Sequence, residues 1–418
     1  MTRTALTAAM ILATAGMARS QTISIPPETL PDESYFTANP GVTVNVESGG
    51  TIFPDAGDGT FTFNGATVNV MTGGGSGFFT VDHFVEDVTY NIDGGDLIRV
   101  KFVGGTGATE LNINSGSVER GLWLQGNTAC TIDGGAIGSV AGGQAAMIVE
   151  DDATCEMNAG DIDTFVVIQD NATFDQTGGT IAGAIQINDD AIVTISGGSS
   201  GDDGLMSDIG CVLNITGGTV GDDFVIAKGV ANMSAGGMGT NSAILNTSGV
   251  DPVFNMTGGA LGSDFRAYDG TFNLSGGLVG SGFRLGTPTG DGSGVTMNIV
   301  AKSATLDGAP LTLTTTPATV TARGGETLTC VLLDDSVVSF ELNESFVSGE
   351  DRFRAGAVLT IGTNCVADTN GDGMLSPADF SAWVAAFNAM SAGCDQNGDG
   401  VCSPADFSAW VANYNAGC

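Results

Sequence analysis

Leu213-Asn214-Ile215-Thr216-Gly217-Gly218 is the clearest copy of the six-residue pattern that decides the fold of this chain. The pattern is apolar, polar, apolar, polar and then two glycines. It recurs at residues 90–95, 130–135, 193–198, 254–259 and 272–277, and with looser copies it returns about every 21 residues. Short strands of period two, separated by glycine at a fixed interval, are typical of a solenoid. The chain is therefore predicted to be mainly β, as a parallel β-helix of about 12 or more coils of about 20 residues.

The same pattern separates inward from outward side chains, because successive residues of a strand point to opposite faces. The predicted inward residues are Leu213, Ile215, Phe254, Met256, Phe272 and Leu274. The predicted outward residues are Asn214, Thr216, Asn255, Thr257, Asn273 and Ser275. Phe224, Phe265 and Phe283 share one offset from their glycine pairs and predict a second inward stack. The outward residues predict a flat polar face, solvated and with stacked amide hydrogen bonds, and glycan or ice binding is the alternative.

The parallel β-helix is predicted over residues 21–310, and its repeat is evident between residues 40 and 300. The repeat then fades into a Thr-rich and then mixed sequence, which includes residues 311–362. The open end of a solenoid exposes unpaired strand edges and must be covered. Residues 311–362 are therefore predicted to form a C-terminal β cap. Within the solenoid, Cys130 and Cys155 occupy the same inward position of successive repeats. Parallel neighbours point the same way, which favours a packed, reduced pair over a disulfide.

The first 20 residues are predicted to be a signal peptide. Arg3 precedes an apolar run from Ala5 to Met17, and Ala18-Arg19-Ser20 provides small residues at the positions that a signal peptidase reads. No later stretch approaches eighteen uninterrupted apolar residues, so no transmembrane segment is predicted. The mature protein is expected to be secreted or held at the cell surface.

The strong net negative charge of the chain limits the kinds of partner it can bind. The chain has 47 acidic and 12 basic residues, a formal net charge of −35. Such a surface repels phosphate backbones, which excludes nucleic acid, and it repels anionic membranes for the same reason. Most of the acids are expected to form a solvated surface.

Two twelve-residue segments near the C-terminal end, 368–379 and 395–406, carry the same oxygen-bearing side chains at the same spacing. Each has Asp, Asn and Asp at positions 1, 3 and 5, Gly at 6, Ser at 9 and Asp at 12. This is the spacing with which a loop surrounds a hard cation such as Ca²⁺. Extended to Asn388 and Asn415, the two copies match at 16 of 21 positions. The sequence therefore predicts two Ca²⁺ sites.

Tandem calcium loops, each followed by a short helix, make residues 363–418 resemble the dockerin module. The flanking Cys365 and the terminal Gly417-Cys418 are similar to the GC-type variant of bacterial secreted proteins. The resemblance implies that positions 1, 3, 5, 9 and 12 bind Ca²⁺ through side chains and position 7 through its carbonyl. The implied ligands are Asp368, Asn370, Asp372, Met374, Ser376 and Asp379, then Asp395, Asn397, Asp399, Val401, Ser403 and Asp406.

The resemblance also bears on the cysteines and on the partner. The four cysteines in or beside the module allow three pairings. The terminal cysteines of the family favour Cys365–Cys418, with Cys394–Cys402 bracing the second loop. Cohesin-binding dockerins usually have small hydroxyl residues at loop positions 10 and 11, where this chain has Pro377-Ala378 and Pro404-Ala405. This departure favours another protein partner or surface receptor over a cohesin.

The best candidates for catalysis are three acids at one offset past the glycine pairs, Asp203, Asp223 and Asp264, with Arg266 and Arg284 two places further on in the repeat. Acids on adjacent coils could approach the spacing of a retaining glycosidase. A polysaccharide lyase or glycoside hydrolase is therefore the alternative function. However, Asp is also favoured after Gly in turns, and the single histidine of the chain excludes a triad. The expected function is that of a non-catalytic structural or adhesive protein, with a polysaccharide as a further possible partner.

Overall fold

The computed structural model describes residues 22–25, 33–52, 61–77, 83–105, 107–139, 144–246, 249–345, 349–363, 366–370 and 375–416. The chain is 49% strand and 9% helix, and its strands wind into a parallel β-solenoid of about 11 turns. The β-helix predicted from the glycine-pair repeat is thus confirmed. The predicted signal peptide lies outside the described residues.

Each complete turn contributes a strand to three faces of the solenoid, and the six-residue pattern lies on the first face. The strands of this face are Thr22–Ile25, Thr43–Val46, Phe61–Met71, His83–Val103, Glu110–Gln125, Ala129–Ile132, Thr154–Met157, Thr173–Gln176, Ile192–Ile195, Val212–Val220, Val230–Met238, Val253–Leu261, Gly270–Val279, Val295–Leu306 and Val358–Gly362. Neighbouring strands are parallel and in register, for example Phe254 beside Phe272. A one-residue slip would turn the apolar row outward, so the apolar pattern fixes the register.

The second and third faces consist of shorter strands together with the ends of the long ones. On the second face the separate strands are Thr51–Ile52, Gly75–Gly77, Ala136–Ile137, Asp161–Ile162, Thr180–Ile181 and Ser199–Ser200. On the third face they are Met147–Val149, Val166–Ile168, Ile185–Ile187, Leu205–Met206, Val225–Ile226, Ala243–Ile244, Arg266–Ala267, Arg284–Leu285 and Arg352–Phe353.

The core is a continuous apolar column inside the three faces, and the predicted inward residues line it. Leu213, Ile215, Phe254, Met256, Phe272 and Leu274 are at most 1% exposed. The second predicted stack is also confirmed, since the rings of Phe265 and Phe283 are stacked with centroids 6.1 Å apart. Phe254 and Phe272 stack at 5.4 Å on the first face. Burying one such aromatic ring contributes about 1.5–3 kcal/mol.

The corners of the solenoid require a positive backbone φ angle, which most residues other than glycine avoid. Gly218, the second glycine of its pair, has φ of 64°, and a Cβ there would lie 2.6 Å from the carbonyl oxygen of Gly197. Many other tight turns use Asp or Asn, which tolerate positive φ better than other side chains. Eleven Asp and Asn residues have positive φ in the described part of the chain, at solenoid corners or in the antiparallel turns of the cap: Asn64, Asp87, Asp151, Asp170, Asp189, Asp203, Asp223, Asn241, Asp264, Asp307 and Asp335.

The two ends of the solenoid are closed differently. At the N-terminal end, helix Glu33–Ala38 places Phe36 against Phe63, with ring centroids 4.8 Å apart. At the C-terminal end an antiparallel hairpin, Gly324–Leu332 and Val337–Asn343, pairs with Val295–Leu306. The remaining short strands there are Ala309–Pro310 and Ala318–Thr319.

The predicted cap segment also completes a coil. Arg352–Phe353 pairs in parallel with Arg284–Leu285, and Val358–Gly362 pairs in parallel with Val295–Leu306. Residues 311–362 therefore combine an antiparallel hairpin with a last solenoid turn.

The cysteines of the solenoid are buried thiols. Cys130 and Cys155 are direct neighbours on adjacent coils, and both are free, as expected. A hydrogen bond with Cys130 and burial raise the pKa of Cys155 well above its usual value. Cys211 and Cys330 are also free and buried.

After the last coil the chain becomes helical, with Pro377–Asn388, a 3₁₀ turn Ala392–Cys394 and Pro404–Ala416. None of the helices in the described ranges has the length and apolar character needed to cross a membrane.

Candidate metal centre

Three carboxylates of the second loop converge. Asp395, Asp399 and Asp406 each offer an oxygen, and these oxygens all lie within 4.8 Å of one another. They stand at loop positions 1, 5 and 12. The spacing in sequence therefore brings together the side chains that the calcium-loop pattern predicts.

The backbone of the loop wraps around Asp395. Its carboxylate accepts hydrogen bonds from the N–H groups of Gly398 at 2.8 Å, Asp399 at 3.2 Å and Gly400 at 2.8 Å. Gly398 and Gly400 have φ of 75° and 80°, which is the sharp turn that the Gly at position 6 permits. The turn therefore holds the first carboxylate toward the centre of the loop.

Asp406 closes the loop from the first turn of helix Pro404–Ala416. It is fully buried and accepts hydrogen bonds from Ser403 N–H at 2.7 Å and Gln396 N–H at 3.0 Å. The Ser403 N–H is the main cause that lowers the pKa of Asp406 below its usual range. Ser403 Oγ in turn accepts from Ala405 N–H at 3.2 Å, so the position-9 serine also caps the helix.

The remaining predicted ligands of the second loop lie at its rim. Asn397 donates to Asp399 Oδ2 at 3.0 Å and accepts from Asp399 N–H at 3.0 Å. Val401 is 62% exposed, and only its backbone carbonyl is an expected ligand.

The first loop repeats this arrangement as far as it is described. Asp379 accepts from Ser376 N–H at 2.7 Å and from Asn370 N–H at 3.3 Å. Burial raises the pKa of Asp379, but these N–H groups outweigh burial and lower it overall. Asp368 is 8% exposed and accepts from Thr315 Oγ1 of the cap at 3.5 Å. Asp372 and Met374 lie outside the described residues.

The donor set fits a hard divalent cation. Residues 363–418 contain six acids and no Lys, Arg or His, and all six acids stand at loop positions 1, 5 or 12. Like charges brought this close repel one another unless a cation lies between them. Oxygen donors without His or thiolate suit Ca²⁺ or Mg²⁺ better than zinc.

The two loops are held together by matched aromatic residues on the helices that follow them. Trp383 and Trp410 are 5% and 6% exposed, with ring centroids 6.5 Å apart. Trp383 Nε1 donates to the carbonyl of Cys394 at 3.0 Å. The two tryptophans thus pack the helices of the two loops against each other.

A cysteine pair brackets the second loop. Cys394 and Cys402 lie at disulfide distance, with Cα atoms 5.6 Å apart, as expected. The expected Cys365–Cys418 pair lies outside the described residues.

The candidate catalytic acids are corner residues. Asp203, Asp223 and Asp264 have φ of 63°, 57° and 60°. Arg266 Nη2 lies 3.3 Å from Asp223 Oδ1, and Arg284 bonds to Asp264. Two of the three carboxylates are thus paired with arginines, as expected if the arginines neutralise the charge of these corner acids.

A buried polar cluster on the third face was not predicted. Lys101 Nζ lies 4.0 Å from the ring centroid of Trp123 and 3.3 Å from Glu150 Oε1. Gln169 donates to Glu150 Oε2 at 3.0 Å. The lysine covers the only tryptophan of the solenoid, so this ring is not an open platform for a sugar. The residues come from different coils, and only the third-face register brings them together.

A second missed feature is a ladder of corner acids, Asp151, Asp170, Asp189 and Asp208. In each step the backbone N–H of one aspartate donates a hydrogen bond to the carboxylate of the next aspartate along the chain, at 3.1–3.3 Å. Lys228 ends the ladder, 3.6 Å from Asp208 Oδ1. The regular spacing of 19 residues could have revealed it. Part of the acidic excess therefore serves to satisfy corner backbone groups.

No protein-family model, curated protein or solved structure matches this chain.

Proposed function

We propose that this chain is an exported, calcium-binding, non-catalytic structural or adhesive protein of the cell surface or extracellular space. Its solenoid forms the body of the molecule. Its residues 363–418 are a dockerin-like module that binds two Ca²⁺ ions and attaches the chain to a protein partner or a surface receptor.

The observation that carries this proposal is the convergence of Asp395, Asp399 and Asp406 in a loop whose pattern occurs twice. A bound cation would remove the repulsion among these carboxylates and thereby stabilise both loops against the helices. The ions would be held by the twelve ligands named in the sequence analysis.

The exposed surface of the module supports a docking role. Phe380 and Phe407 occupy equivalent positions on the two helices and remain 38% and 45% exposed, with ring centroids 5.9 Å apart. Val411 beside them is 37% exposed. Exposed aromatic side chains on a folded helix pair are typical of a contact surface for a partner. Pro377-Ala378 and Pro404-Ala405 at the helix starts favour a partner other than a cohesin.

The alternative is a polysaccharide lyase or glycoside hydrolase carried by the solenoid. It would need a carboxylate available as acid, base or calcium ligand. The ion pairs of Asp223 and Asp264 with Arg266 and Arg284 give support to the non-catalytic proposal instead.

Calcium titration of the full chain tests the proposal. Calorimetry should detect two ions per chain. Two of the three tryptophans, Trp383 and Trp410, lie in the module and are buried. Chelator should therefore expose them and shift tryptophan fluorescence to longer wavelength, while the strand signal in circular dichroism remains. At a Ca²⁺ concentration 100 times Kd, the module should gain about 2.7 kcal/mol of stability for each ion bound.

The variant Asp395→Asn/Asp406→Asn should reduce the binding stoichiometry from two ions to one. Glu350→Gln is the control, since it removes an exposed acid of the cap and should leave both sites intact. Tryptophan fluorescence that is unchanged by chelator, or a double variant that still binds two ions, would contradict the calcium proposal.

A further inference from the structure

A flat, uncharged surface covers the first face of the C-terminal half of the solenoid. It is formed by seven neighbouring parallel strands, from Ile192–Ile195 to Val358–Gly362, and four consecutive residues of each are in register from strand to strand. We call the outward positions of these strands the neutral face. They are Ile192, Thr194, Ser196, Val212, Asn214, Thr216, Val230, Asn232, Ser234, Val253, Asn255, Thr257, Thr271, Asn273, Ser275, Thr296, Asn298, Val300, Val358, Thr360 and Gly362. None of them is charged, although the chain carries a net charge of −35.

The neutral face presents hydrogen-bonding groups at a regular interval. Its middle column is an amide ladder, in which Asn232 donates to Asn214 at 3.0 Å and Asn255 donates to Asn232 at 2.9 Å. The ladder continues through Asn273 and Asn298 at 2.8 Å each. An Asn amide has two N–H donors, and the ladder uses one of them. A second donor is thus available at each coil, about 4.8 Å from the next.

An open cavity of about 290 Å³ lies at the C-terminal end of the neutral face. It is lined by Ser275, Val300 and Gly362 of the neutral face and by Thr315, Pro317 and Leu333 of the cap. The N–H of Leu333 donates to the Ser275 carbonyl at 2.8 Å, which fixes the cap against the face. The cavity is close to the smallest volume usual for ligand sites, about 300 Å³. Hydroxyl and apolar groups dominate its lining, as they do on the face.

Charge and size decide which occupant fits. An anionic polymer needs Lys or Arg, and the neutral face has neither. A protein partner usually needs aromatic or Arg anchors, which this face also lacks. Seven strands by five residues cover about 30 × 16 Å, or about 500 Å², and the cap covers part of this area at Ser275 and Gly362. A stable dimer buries about 800 Å² on each partner, so a second copy of this chain fits poorly.

We propose that the neutral face binds a neutral polysaccharide that lies along the solenoid axis, with one end toward the cavity. A polymer of uncharged sugars repeats its hydroxyl groups along its length, as the face repeats its amides and hydroxyls from coil to coil. The Val and Thr column beside the amides provides apolar contact for the sugar rings. This site is separate from the calcium module and does not depend on it.

Affinity electrophoresis of the full chain tests this proposal, with hydroxyethylcellulose, xylan and mannan as neutral probes and alginate as the anionic one. At least one neutral polymer should retard the protein, and alginate should not. Retardation should persist in chelator, which separates this site from the calcium proposal. Oligosaccharides of the polymer that binds should gain affinity with length up to about 30 Å, the length of seven coils.

The variant Thr216→Glu/Thr257→Glu places two charges on exposed positions of the neutral face. It should weaken binding at least about tenfold, because the bound polysaccharide would bury each introduced carboxylate without a partner charge, and burying an unpaired charge is costly. Thr177→Glu is the control. Thr177 is exposed at the equivalent position of a coil outside the neutral face, two coils before Thr216 and four coils before Thr257. Melting temperatures should agree among all three proteins.

Several results would overturn the proposal. They are no retardation by any neutral probe, equal retardation by alginate, or equal binding by the double variant. A wild-type dimer in light scattering that the double variant abolishes would assign the face to a second copy instead. Ice shaping that the double variant abolishes would assign it to ice.

Discussion

The first face of the solenoid has one backbone but two different surfaces. After the first strand, Thr22–Ile25, the seven strands from Thr43–Val46 to Thr173–Gln176 form its N-terminal half, and the seven from Ile192–Ile195 to Val358–Gly362 form its C-terminal half. The inward rows of both halves are buried, and apart from Gln176 they are apolar. At the outward positions, the N-terminal half has six acids and the C-terminal half has none. The six acids are Glu47, Asp93, Glu110, Asp133, Glu156 and Asp175.

The difference shows which part of the repeat the fold constrains. Apart from Gln176, the inward residues are apolar in both halves, since each coil packs on the next. Outward residues are free to carry acids, as they do in the N-terminal half. The amide ladder stops at Asn112 and resumes at Asn214, and between them Glu156 stands directly beside Asp175. The exclusion of acids from the C-terminal half is therefore not a requirement of folding, and it is consistent with a binding role for the neutral face.

The largest expected effect is equal in both halves and concerns the inward row. Phe174→Asp and Phe272→Asp each place an unpaired charge at a position that is 0% exposed. Each should lower the free energy of unfolding by about 4 kcal/mol or more, because a ring is lost and a charge is buried. Chemical denaturation with strand circular dichroism measures this loss.

Asn273→Asp is the outward control and should cost much less than Phe272→Asp. If the inward and outward changes were equally damaging, the assignment of inside and outside would be wrong. If Phe174→Asp were tolerated while Phe272→Asp were not, the two halves would not share one core.

Sequence was sufficient for the parts of the fold that depend on short spacing. The alternation in Leu213 to Gly218 revealed both the strand and its inward residues, and the offset of Phe224 from the glycine pair revealed the second stack. The convergence of Asp395, Asp399 and Asp406 was predictable for the same reason, because a calcium loop is complete within twelve residues.

Sequence was not sufficient where distant segments meet. Arg352 lies beside Arg284 on the third face although 68 residues separate them in the chain, and an antiparallel hairpin intervenes. No local pattern marks residues 352–362 as a last coil. The contact of Lys101 with Trp123 and Glu150 likewise depends on a register between coils of unequal length.

A middle-sized effect should distinguish the ladders of the two halves. Asn255→Ala removes the bond that Asn255 donates to Asn232 and the one it accepts from Asn273. It should cost about 1–3 kcal/mol, as expected for lost hydrogen bonds that leave partners unsatisfied. Asp175→Ala should be within about 0.5 kcal/mol of neutral or stabilising, because Asp175 faces Glu156 and like charges opposite each other repel. Thermal unfolding compares the two variants, and equal losses would mean that the amide ladder contributes nothing special.

The smallest effects are expected at the corners, and they should have opposite signs in the two halves. Asp170 and Asp189 belong to a ladder of like charges, whereas Asp223 and Asp264 are paired with arginines. Asn tolerates the same positive φ and still accepts a hydrogen bond, so Asp→Asn changes mainly the charge. Asp170→Asn/Asp189→Asn should be neutral or stabilising by up to about 1 kcal/mol. Asp223→Asn/Asp264→Asn should destabilise by no more than about 1 kcal/mol for each of the two ion pairs, the usual upper size for pairs at the surface. Both changes should shrink in high salt, because salt screens exposed charges. The wild type and Asp223→Asn/Asp264→Asn also test the enzymatic alternative. If the wild type cleaves a polysaccharide and this variant abolishes cleavage without unfolding, the arginine-paired acids are catalytic. The structural interpretation of this column is then wrong.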